Sequence, residues 1–142
     1  MKLMRKKKLE IIMFLLVKSV LLLWLFLVPL VINGKKYVRI HNDLDGGANL
    51  LVHCKSKDDD LGSHVLAQGQ FYEFSFTPNW VGNTLFFCSF QFDGTCHRFD
   101  IYKDHRDYAY CGHCDWSVHR NGPCRHFNAP GHDCLPWNQQ TC

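Results

Sequence analysis

The tetrapeptide Cys111-Gly112-His113-Cys114 is the part of this 142-residue chain whose residue types and spacing most directly suggest chemistry. Two cysteines separated by two residues form the active-site motif of thiol–disulfide oxidoreductases, where the first thiol lies at a helix N-terminus and has a lowered pKa. The residues from Cys114 to His119 instead alternate between apolar and polar side chains, as in a strand. Thiol-redox chemistry is therefore an alternative and not the main prediction.

The same region contains side chains that bind zinc. These are Cys111, Cys114, Cys124, His126, His132 and Cys134. A structural zinc site needs four such ligands in a tetrahedral arrangement, and a second ligand pair with regular spacing is missing. Thiols that pass through an oxidising compartment more often become disulfides than metal ligands. We therefore predict no metal and no cofactor.

The nine histidines raise the possibility of a secreted hydrolase or toxin-like effector, because imidazole acts as a general acid or base near neutral pH. The sequence contains no nucleophile elbow, metal-binding helix motif or phosphate-binding loop. Alternation places His113 and His119 on a solvent-exposed strand face. We predict no catalytic residue and keep a secreted enzyme or effector as the alternative function.

The N-terminal segment has the layout of a secretory signal peptide. A basic cluster within the first eight residues precedes an apolar segment from Ile11 to Ile32, which is interrupted at Lys18. The uncharged part is shorter than the roughly 20 residues that a membrane-spanning helix needs. We predict that residues 1–34 are a cleaved signal peptide and that the mature protein begins near Lys35. The alternative is an uncleaved anchor over the same apolar segment.

Cleavage changes the charge of the protein. Six of the sixteen Lys and Arg residues lie within the first 34 positions, which leaves ten basic and twelve acidic residues in the mature chain. Without a basic surplus, we expect no nucleic-acid binding and no membrane insertion after cleavage. The remaining 108 residues are enough for one hydrophobic core.

All eight cysteines lie in the mature part: Cys54, Cys88, Cys96, Cys111, Cys114, Cys124, Cys134 and Cys142. An even number in a small exported chain predicts four disulfides. Strand parity gives Cys54, Cys88 and Cys114 apolar surroundings, whereas Cys96 and Cys124 look peripheral. We favour the pairs Cys96–Cys124 and Cys134–Cys142 and leave the other pairing open.

Alternating apolar residues and turn signals divide the mature chain into short strands. The predicted strands are Tyr37–Asn42, Asn49–Lys55, His64–Leu66, Gln70–Phe76, Thr84–Phe92, Cys96–Lys103 and Cys114–His119. No segment of the mature chain shows the 3.6-residue apolar period of a helix. The pattern predicts an all-β fold: a small antiparallel β-sandwich of six to eight short strands, stapled by disulfides. Most aromatic residues then belong to the core, with Trp80 and Trp137 in loops.

Three polar connections are candidates for binding a partner. They are Lys55–Asp60, Pro78–Asn83 and Lys103–Asp107. The first contains three consecutive aspartates; it lacks the regular spacing and closing glutamate of a calcium loop, so we interpret it as a solvated turn with Asp side chains capping local N–H groups.

With these elements in place, the chain resembles the plant self-incompatibility protein S1 family, also called S-protein homologues, from Val38 to Cys124. The matching blocks are Val38-Arg39-Ile40-His41-Asn42, His53 to Gly62, Phe74-Ser75-Phe76, Thr84 to Cys88, Phe99 to Tyr102, and Cys111 to Cys114 followed by Trp116. The resemblance implies a small secreted β-sandwich that acts as an extracellular signal, without catalytic residues or cofactors. Some members are female determinants that reject self pollen.

The resemblance also implies an organisation and a function. Family members usually carry four cysteines, which look like Cys54, Cys88, Cys111 and Cys114 here, and the other four are additional. We expect a sandwich domain over 35–124 and a cysteine-containing tail over 125–142. The predicted function is a monomeric, non-enzymatic signalling ligand in cell–cell recognition, whose partner is a cell-surface receptor protein.

Overall fold

The computed structural model describes residues 2–27, 34–126, 132–140 and 142. The chain divides into two compact units, Met1–Asn33 and Gly34–Cys142. The first contains helix α1 (Lys2–Leu27), which covers most of the predicted signal peptide. Within the described residues, no helix combines the length and apolar character needed to cross a membrane. The predicted cleavage region includes residues 28–33, which lie outside the described residues, so cleavage stays a prediction.

In the described part of the second unit, the chain forms nine strands and two short helices. The strands are β1 (Lys36–Asn42), β2 (Leu50–Lys55), β3 (Asp60–Leu66), β4 (Phe71–Phe76), β5 (Leu85–Phe92), β6 (Thr95–Lys103), β7 (His113–His119), β8 (Gly122–His126) and β9 (His132–Cys134). A 3-10 helix spans Asp45–Gly47, and helix α2 spans Asp104–Asp107. Most of the charged connection Lys103–Asp107 therefore forms a short helix.

The strands form two sheets that pack against each other. The five-stranded sheet has the order β4-β1-β7-β8-β9, and the four-stranded sheet has the order β3-β2-β5-β6. Among the pairings of the described strands, β1 with β7 is parallel and the others are antiparallel. The predicted all-β sandwich is confirmed. The described strands number nine and not six to eight, because β8 and β9 both follow Cys114–His119, the last strand that the sequence predicted.

Aromatic side chains from both sheets form the centre of the core. Trp116 of β7 is fully buried and meets Phe99 of β6 edge-on, with ring centroids 5.1 Å apart. Phe74 and Phe76 of β4 contact Phe86 of β5 at centroid distances of 5.2 and 4.5 Å. Burying a side chain such as Phe contributes about 1.5–3 kcal/mol relative to exposing it. These contacts hold the two sheets together.

The connection between β6 and β7 brings a carboxylate into the interior. Asp107 is fully buried, and its Oδ1 accepts a hydrogen bond from Arg125 Nη1 at 2.5 Å. Its Oδ2 accepts from the Lys103 backbone N–H at 2.8 Å and from Arg106 Nη2 at 2.7 Å. The guanidinium groups of Arg106 and Arg125 lie 5.1 and 5.5 Å from the Trp116 ring centroid. A buried charge requires such pairing, so this cluster ties α2 to both sheets.

Four disulfides pair all eight cysteines. The bridges are Cys54–Cys88, Cys96–Cys142, Cys111–Cys114 and Cys124–Cys134. Two of them join residues that lie directly opposite each other on antiparallel neighbours, in the β2–β5 and β8–β9 pairs. These two bridges fix the register of the strands that they connect.

The predicted pairs Cys96–Cys124 and Cys134–Cys142 are wrong. Strand β9, which the sequence analysis did not predict, places Cys134 opposite Cys124 in the same sheet. Cys96 lies in the other sheet, where the end of the tail reaches it, and its Cα is 5.6 Å from that of Cys142. The prediction paired Cys96 with Cys124 because both looked peripheral. It failed because the order of the strands in the two sheets decides which cysteines are neighbours.

The sandwich continues beyond the predicted domain boundary after Cys124. That boundary falls inside β8, and β9 extends the five-stranded sheet. Farther along the tail, the Trp137 ring stacks on His97 with centroids 4.9 Å apart. The Asn138 backbone N–H donates to the Arg98 carbonyl oxygen at 2.9 Å. The tail therefore lies along β6, at the edge of the four-stranded sheet.

Replacing the buried carboxylate should strongly destabilise the domain. In Asp107→Ala, Arg125 keeps its burial and loses its closest carboxylate partner, so we expect the free energy of unfolding to fall by about 3–5 kcal/mol. Urea denaturation followed by tryptophan fluorescence measures this loss. The exposed Asp58→Ala control should stay within about 0.5 kcal/mol of the parent. A similar small effect for both variants would contradict a central role for Asp107.

The disulfide pattern can be tested on secreted protein. Peptide mapping without reduction should recover Cys96 linked to Cys142 and Cys124 linked to Cys134, and an alkylating reagent should label no thiol before reduction. A peptide linking Cys96 to Cys124 would contradict the structure.

The intact mass of the same sample should correspond to a mature chain beginning near Lys35, whereas a full-length mass would support the uncleaved anchor.

Candidate functional site

The three connections that the sequence analysis selected, Lys55–Asp60, Pro78–Asn83 and Lys103–Asp107, lie together at one end of the sandwich. The structure bounds the corresponding loops at 56–59, 77–84 and 104–112, so the third loop extends beyond the selected residues. Lys36 at the start of β1 faces Phe76 at the end of β4, and Lys55 at the end of β2 faces Phe87 near the start of β5. Strand β6 ends beside the start of β5, and β7 starts alongside the start of β1. We call these three loops the loop end.

The loop end exposes large apolar and aromatic side chains. Trp80 is 90% exposed, Tyr110 is 75% exposed and Val81 is 67% exposed. The Asn79 side chain shapes the turn beneath Trp80, because its Oδ1 accepts a hydrogen bond from the Val81 N–H at 2.9 Å. The Gly82 N–H donates to the Asn79 carbonyl oxygen at 3.0 Å. The turn therefore holds Trp80 in solvent at its tip.

Hydrogen bonds join two of these loops at their base. The Asp104 N–H donates to the Thr84 carbonyl oxygen at 3.1 Å, and Asp104 Oδ2 accepts from the Thr84 N–H at 2.9 Å. The Tyr102 hydroxyl donates to Asp104 Oδ1 at 2.9 Å. Burial, together with this carboxylate, raises the pKa of Tyr102 well above its usual range. The phenol therefore stays protonated and continues to brace both loops.

The third loop, 56–59, is a solvated turn, as the sequence predicts. Here Ser56 Oγ accepts backbone hydrogen bonds from Asp58 at 3.2 Å and Asp59 at 3.0 Å. Asp60 Oδ1 accepts from the backbone N–H two residues later at 3.0 Å, which is the predicted aspartate capping. Lys55 Nζ lies 2.8 Å from Asp60 Oδ2, and it is the largest cause that holds the pKa of Asp60 below its ordinary value. The loop therefore carries both acidic and basic side chains, several of which form hydrogen bonds or ion pairs within the loop and the strand ends beside it.

The Cys-x-x-Cys motif does not have the geometry of a thiol oxidoreductase. Cys111 precedes β7 and Cys114 lies within it, so the motif leads into a strand and not into a helix. Both residues are buried and bonded to each other. The four cysteines proposed as zinc ligands are all in disulfides. Within the described residues, no group of three or more His, Cys, Asp or Glu side chains is arranged to hold a metal ion.

The outer face of the five-stranded sheet gathers a polar cluster that the sequence analysis missed. Parallel pairing places His41 beside Ser117 and Arg39 beside Asp115, and Asp115 faces His126 across the β7–β8 pair. Ser117 Oγ lies 2.5 Å from His126 Nε2, and His41 Nε2 lies 3.7 Å from Asp115 Oδ1. These groups surround a depression of about 310 Å³. We call its lining residues the sheet-face cluster: His41, Asp43, Asp115, Ser117 and His126.

Alternation correctly placed His113 and His119 on an exposed face. His113 stacks on Tyr37 across the β1–β7 pair, with centroids 4.5 Å apart. The wider cluster was missed because β1 and β7 are separated by more than 70 residues, and their parallel register is not visible in either strand alone. The only feature of the sequence that pointed to the cluster was the polar side chain at every second position of each strand.

A model of the family described as plant self-incompatibility protein S1 matches residues 37–137 of the chain. The chain belongs to this family. S-protein homolog 2 of Arabidopsis thaliana is 48% identical over 115 residues, which cover 75% of this chain and 71% of that protein. S-protein homolog 5 of the same plant is 48% identical over 95 residues, covering 67% and 73%. The predicted family resemblance is confirmed, and the match extends past Cys124.

A solved structure shares the fold with a TM-score of 0.56 and 17% identity, covering 75% of this chain and 96% of that chain. It is described as the structure of SPH (Self-Incompatibility Protein Homologue) proteins, a widespread family of small, highly stable, secreted proteins from plants. At that identity the likeness concerns the fold. Membership of the S1 family places this protein among secreted plant proteins, in agreement with its predicted export signal.

The end of this S1-family sandwich opposite the loop end is closed by hydrogen bonds. Arg120 Nε donates to Asp45 Oδ1 at 2.6 Å, and its Nη1 contacts the Asp93 carboxylate. The Arg120 carbonyl oxygen accepts from Trp137 Nε1 at 3.0 Å. The Asn42 side-chain amide donates to the Ala48 carbonyl oxygen at 2.8 Å and to the Leu66 carbonyl oxygen, at the end of β3, at 2.9 Å. Arg120, Trp137 and Asn42 thus use these polar groups within the protein, whereas Trp80, at 90% exposure, lies at the loop end.

The charge balance of loop 56–59 can be tested by titration. Lys55→Met should raise the pKa of Asp60 toward its ordinary value, because the ammonium group is the main stabiliser of the carboxylate. His53→Gln should raise it by less. Carbon-detected NMR across an acidic pH series measures both shifts, with Lys57→Met as the control that leaves Asp60 unchanged. An unaltered titration in Lys55→Met would contradict the ion pair.

Proposed function

We propose that this protein is a secreted, non-enzymatic signalling ligand, which a cell-surface receptor recognises through the loop end. The supporting observation is that the topology brings loops 56–59, 77–84 and 104–112 to one end, where Trp80, Val81 and Tyr110 are exposed. Cell–cell recognition is the general role, of which pollen–pistil signalling is one instance. The proposal names the class of partner and not an individual receptor.

The exposed side chains have the chemistry of interface anchors. Trp and Tyr are enriched among the residues that dominate binding energy, because each removes a large area from water on docking. Trp80 makes no contribution to the core in its present position, since it is 90% exposed. Val81 follows Trp80 in the same turn, and Tyr110 exposes a second aromatic side chain in loop 104–112. A receptor that covers these side chains removes apolar surface that otherwise remains in water.

The scaffold holds these anchors in place before binding. Loops 77–84 and 104–112 are joined by the reciprocal Thr84–Asp104 hydrogen bonds, and the second loop is tied to the core through Asp107. A loop that is already ordered loses less conformational freedom when it binds. The charged groups of loop 56–59 lie at the same end and are suited to selecting among receptors, because complementary charges govern specificity more than affinity.

Binding to intact plant cells tests the proposal. Fluorescently labelled secreted protein should bind saturably to a protease-sensitive surface component, and Trp80→Ala should weaken binding about tenfold or more. Val81→Ser and Val65→Ser form a matched pair, since the two valines are 67% and 65% exposed and only the first lies at the loop end. We expect the Val81 variant to weaken binding and the Val65 variant to leave it unchanged. Equal effects would contradict recognition through the loop end.

An activity screen separates the ligand from the enzyme alternative. We expect folded, disulfide-bonded protein to show no turnover against a broad panel of ester, glycoside, phosphoester and disulfide substrates. The Ser117–His126 contact is the most suitable place to look for a hydrolase, because it joins a hydroxyl to an imidazole. A turnover that Ser117→Ala abolishes would overturn the non-enzymatic assignment.

A further inference from the structure

We propose that the sheet-face cluster, together with Phe71, is a binding site for a neutral sugar residue of an oligosaccharide. This site is separate from the loop end. It lies on the outer face of the five-stranded sheet, beside the last residues of β1, whereas the loop end is at the start of that strand. The inference therefore does not depend on the proposed receptor interaction.

The depression has the size of a site for one small ring. Its volume of about 310 Å³ is at the lower end of the range for small-molecule sites. Ser117 is 2% exposed and forms the floor. The His41 and Asp115 side chains, at 29% and 35% exposure, form partly accessible walls. Asp43 follows β1 and completes the rim from outside the sheet.

The lining offers hydrogen-bonding groups that match a polyol. The carboxylate oxygens of Asp43 and Asp115 accept hydrogen bonds, whereas imidazole and hydroxyl groups can both donate and accept. Each sugar hydroxyl also donates once and accepts, so adjacent hydroxyls can be bonded by neighbouring lining groups. A hydroxyl that donates to a carboxylate makes the stronger, charge-assisted type of bond.

The charges of the cluster disfavour anionic ligands. Asp115 already lies 3.8 Å from Arg39 Nε and 3.7 Å from His41 Nε2, and Arg39 also pairs with Glu73 at 2.8 Å. An anion would approach the carboxylates of Asp43 and Asp115 without an uncommitted guanidinium to receive it. A neutral ligand with many hydroxyl groups avoids that repulsion and can still donate hydrogen bonds to both carboxylates.

An aromatic ring lies beside the depression and supplies an apolar surface. Phe71 of β4 faces His41 of β1, with ring centroids 5.6 Å apart. The Arg39 guanidinium lies 4.8 Å from the Phe71 ring centroid, and the side chain remains 53% exposed. A pyranose ring has an apolar C–H face and a polar rim of hydroxyls. Polar groups that fix orientation next to an apolar contact surface are the usual composition of a small-ligand site.

Calorimetric titration of the secreted, disulfide-bonded protein tests this proposal. The probes are neutral hexasaccharides of β-1,4-linked glucose, xylose and mannose, and the anionic hexasaccharide of α-1,4-linked galacturonic acid. We expect at least one neutral probe to bind with a Kd below about 1 mM. Asp115→Asn and Phe71→Ala should each weaken that binding about tenfold or more. Asp58→Asn and Val65→Ala are the matched controls and should leave it unchanged.

Each remaining outcome has a defined meaning. The proposal is overturned if no neutral probe binds at about 10 mM, if only the galacturonate binds, or if both site variants bind like the parent. Asp43→Asn changes an exposed rim residue and serves as the site variant if Asp115→Asn lowers the melting temperature. Trp80→Ala should retain full sugar binding, so failure of the receptor proposal would not affect this result.

Discussion

The carboxylate of Asp107 lies where the connection between the two sheets meets the interior. It accepts hydrogen bonds from Arg125 of β8 and from the backbone at the end of β6, which belong to different sheets. Two guanidinium groups near Asp107 also lie over Trp116, the largest fully buried side chain. Removing these charges from water is costly, so the arrangement is tolerated only with all its partners in place. The cluster therefore joins the end of α2 to both sheets, six residues before β7 begins at His113.

The disulfides stabilise a domain whose hydrophobic core is small. A domain of about 100 residues buries a limited fraction of its surface, and cross-links stabilise it further by restricting the unfolded chain. Cys54–Cys88 joins neighbouring strands of one sheet, and Cys124–Cys134 does so in the other. Cys96–Cys142 holds the tail near β6, where Trp137 packs against the core cluster. The bridges Cys124–Cys134 and Cys96–Cys142 thus complete the sandwich beyond Cys124.

The regions of the sandwich differ in how their polar and apolar side chains are used. The end around Arg120 satisfies its polar groups internally, and the disulfide-linked strands hold the scaffold. The loop end keeps exposed anchors such as Trp80 on short, braced turns. The outer face of the five-stranded sheet carries polar groups around a depression. A rigid scaffold allows loops and a sheet face to specialise without weakening the core.

Local patterns in the sequence determined the strands from β1 to β7, except that β3 begins at Asp60 and not at His64. They also determined the exported and disulfide-bonded class, and the family. They could do so because side-chain alternation, turn residues and an apolar leader are read over a few consecutive residues. The tertiary structure alone decided the β8–β9 pair, the partners of Cys96 and Cys124, the burial of Asp107 and the sheet-face cluster. Each of these depends on which distant strands become neighbours and in what register. That choice is made by the packing of the whole chain and is not written in any single strand.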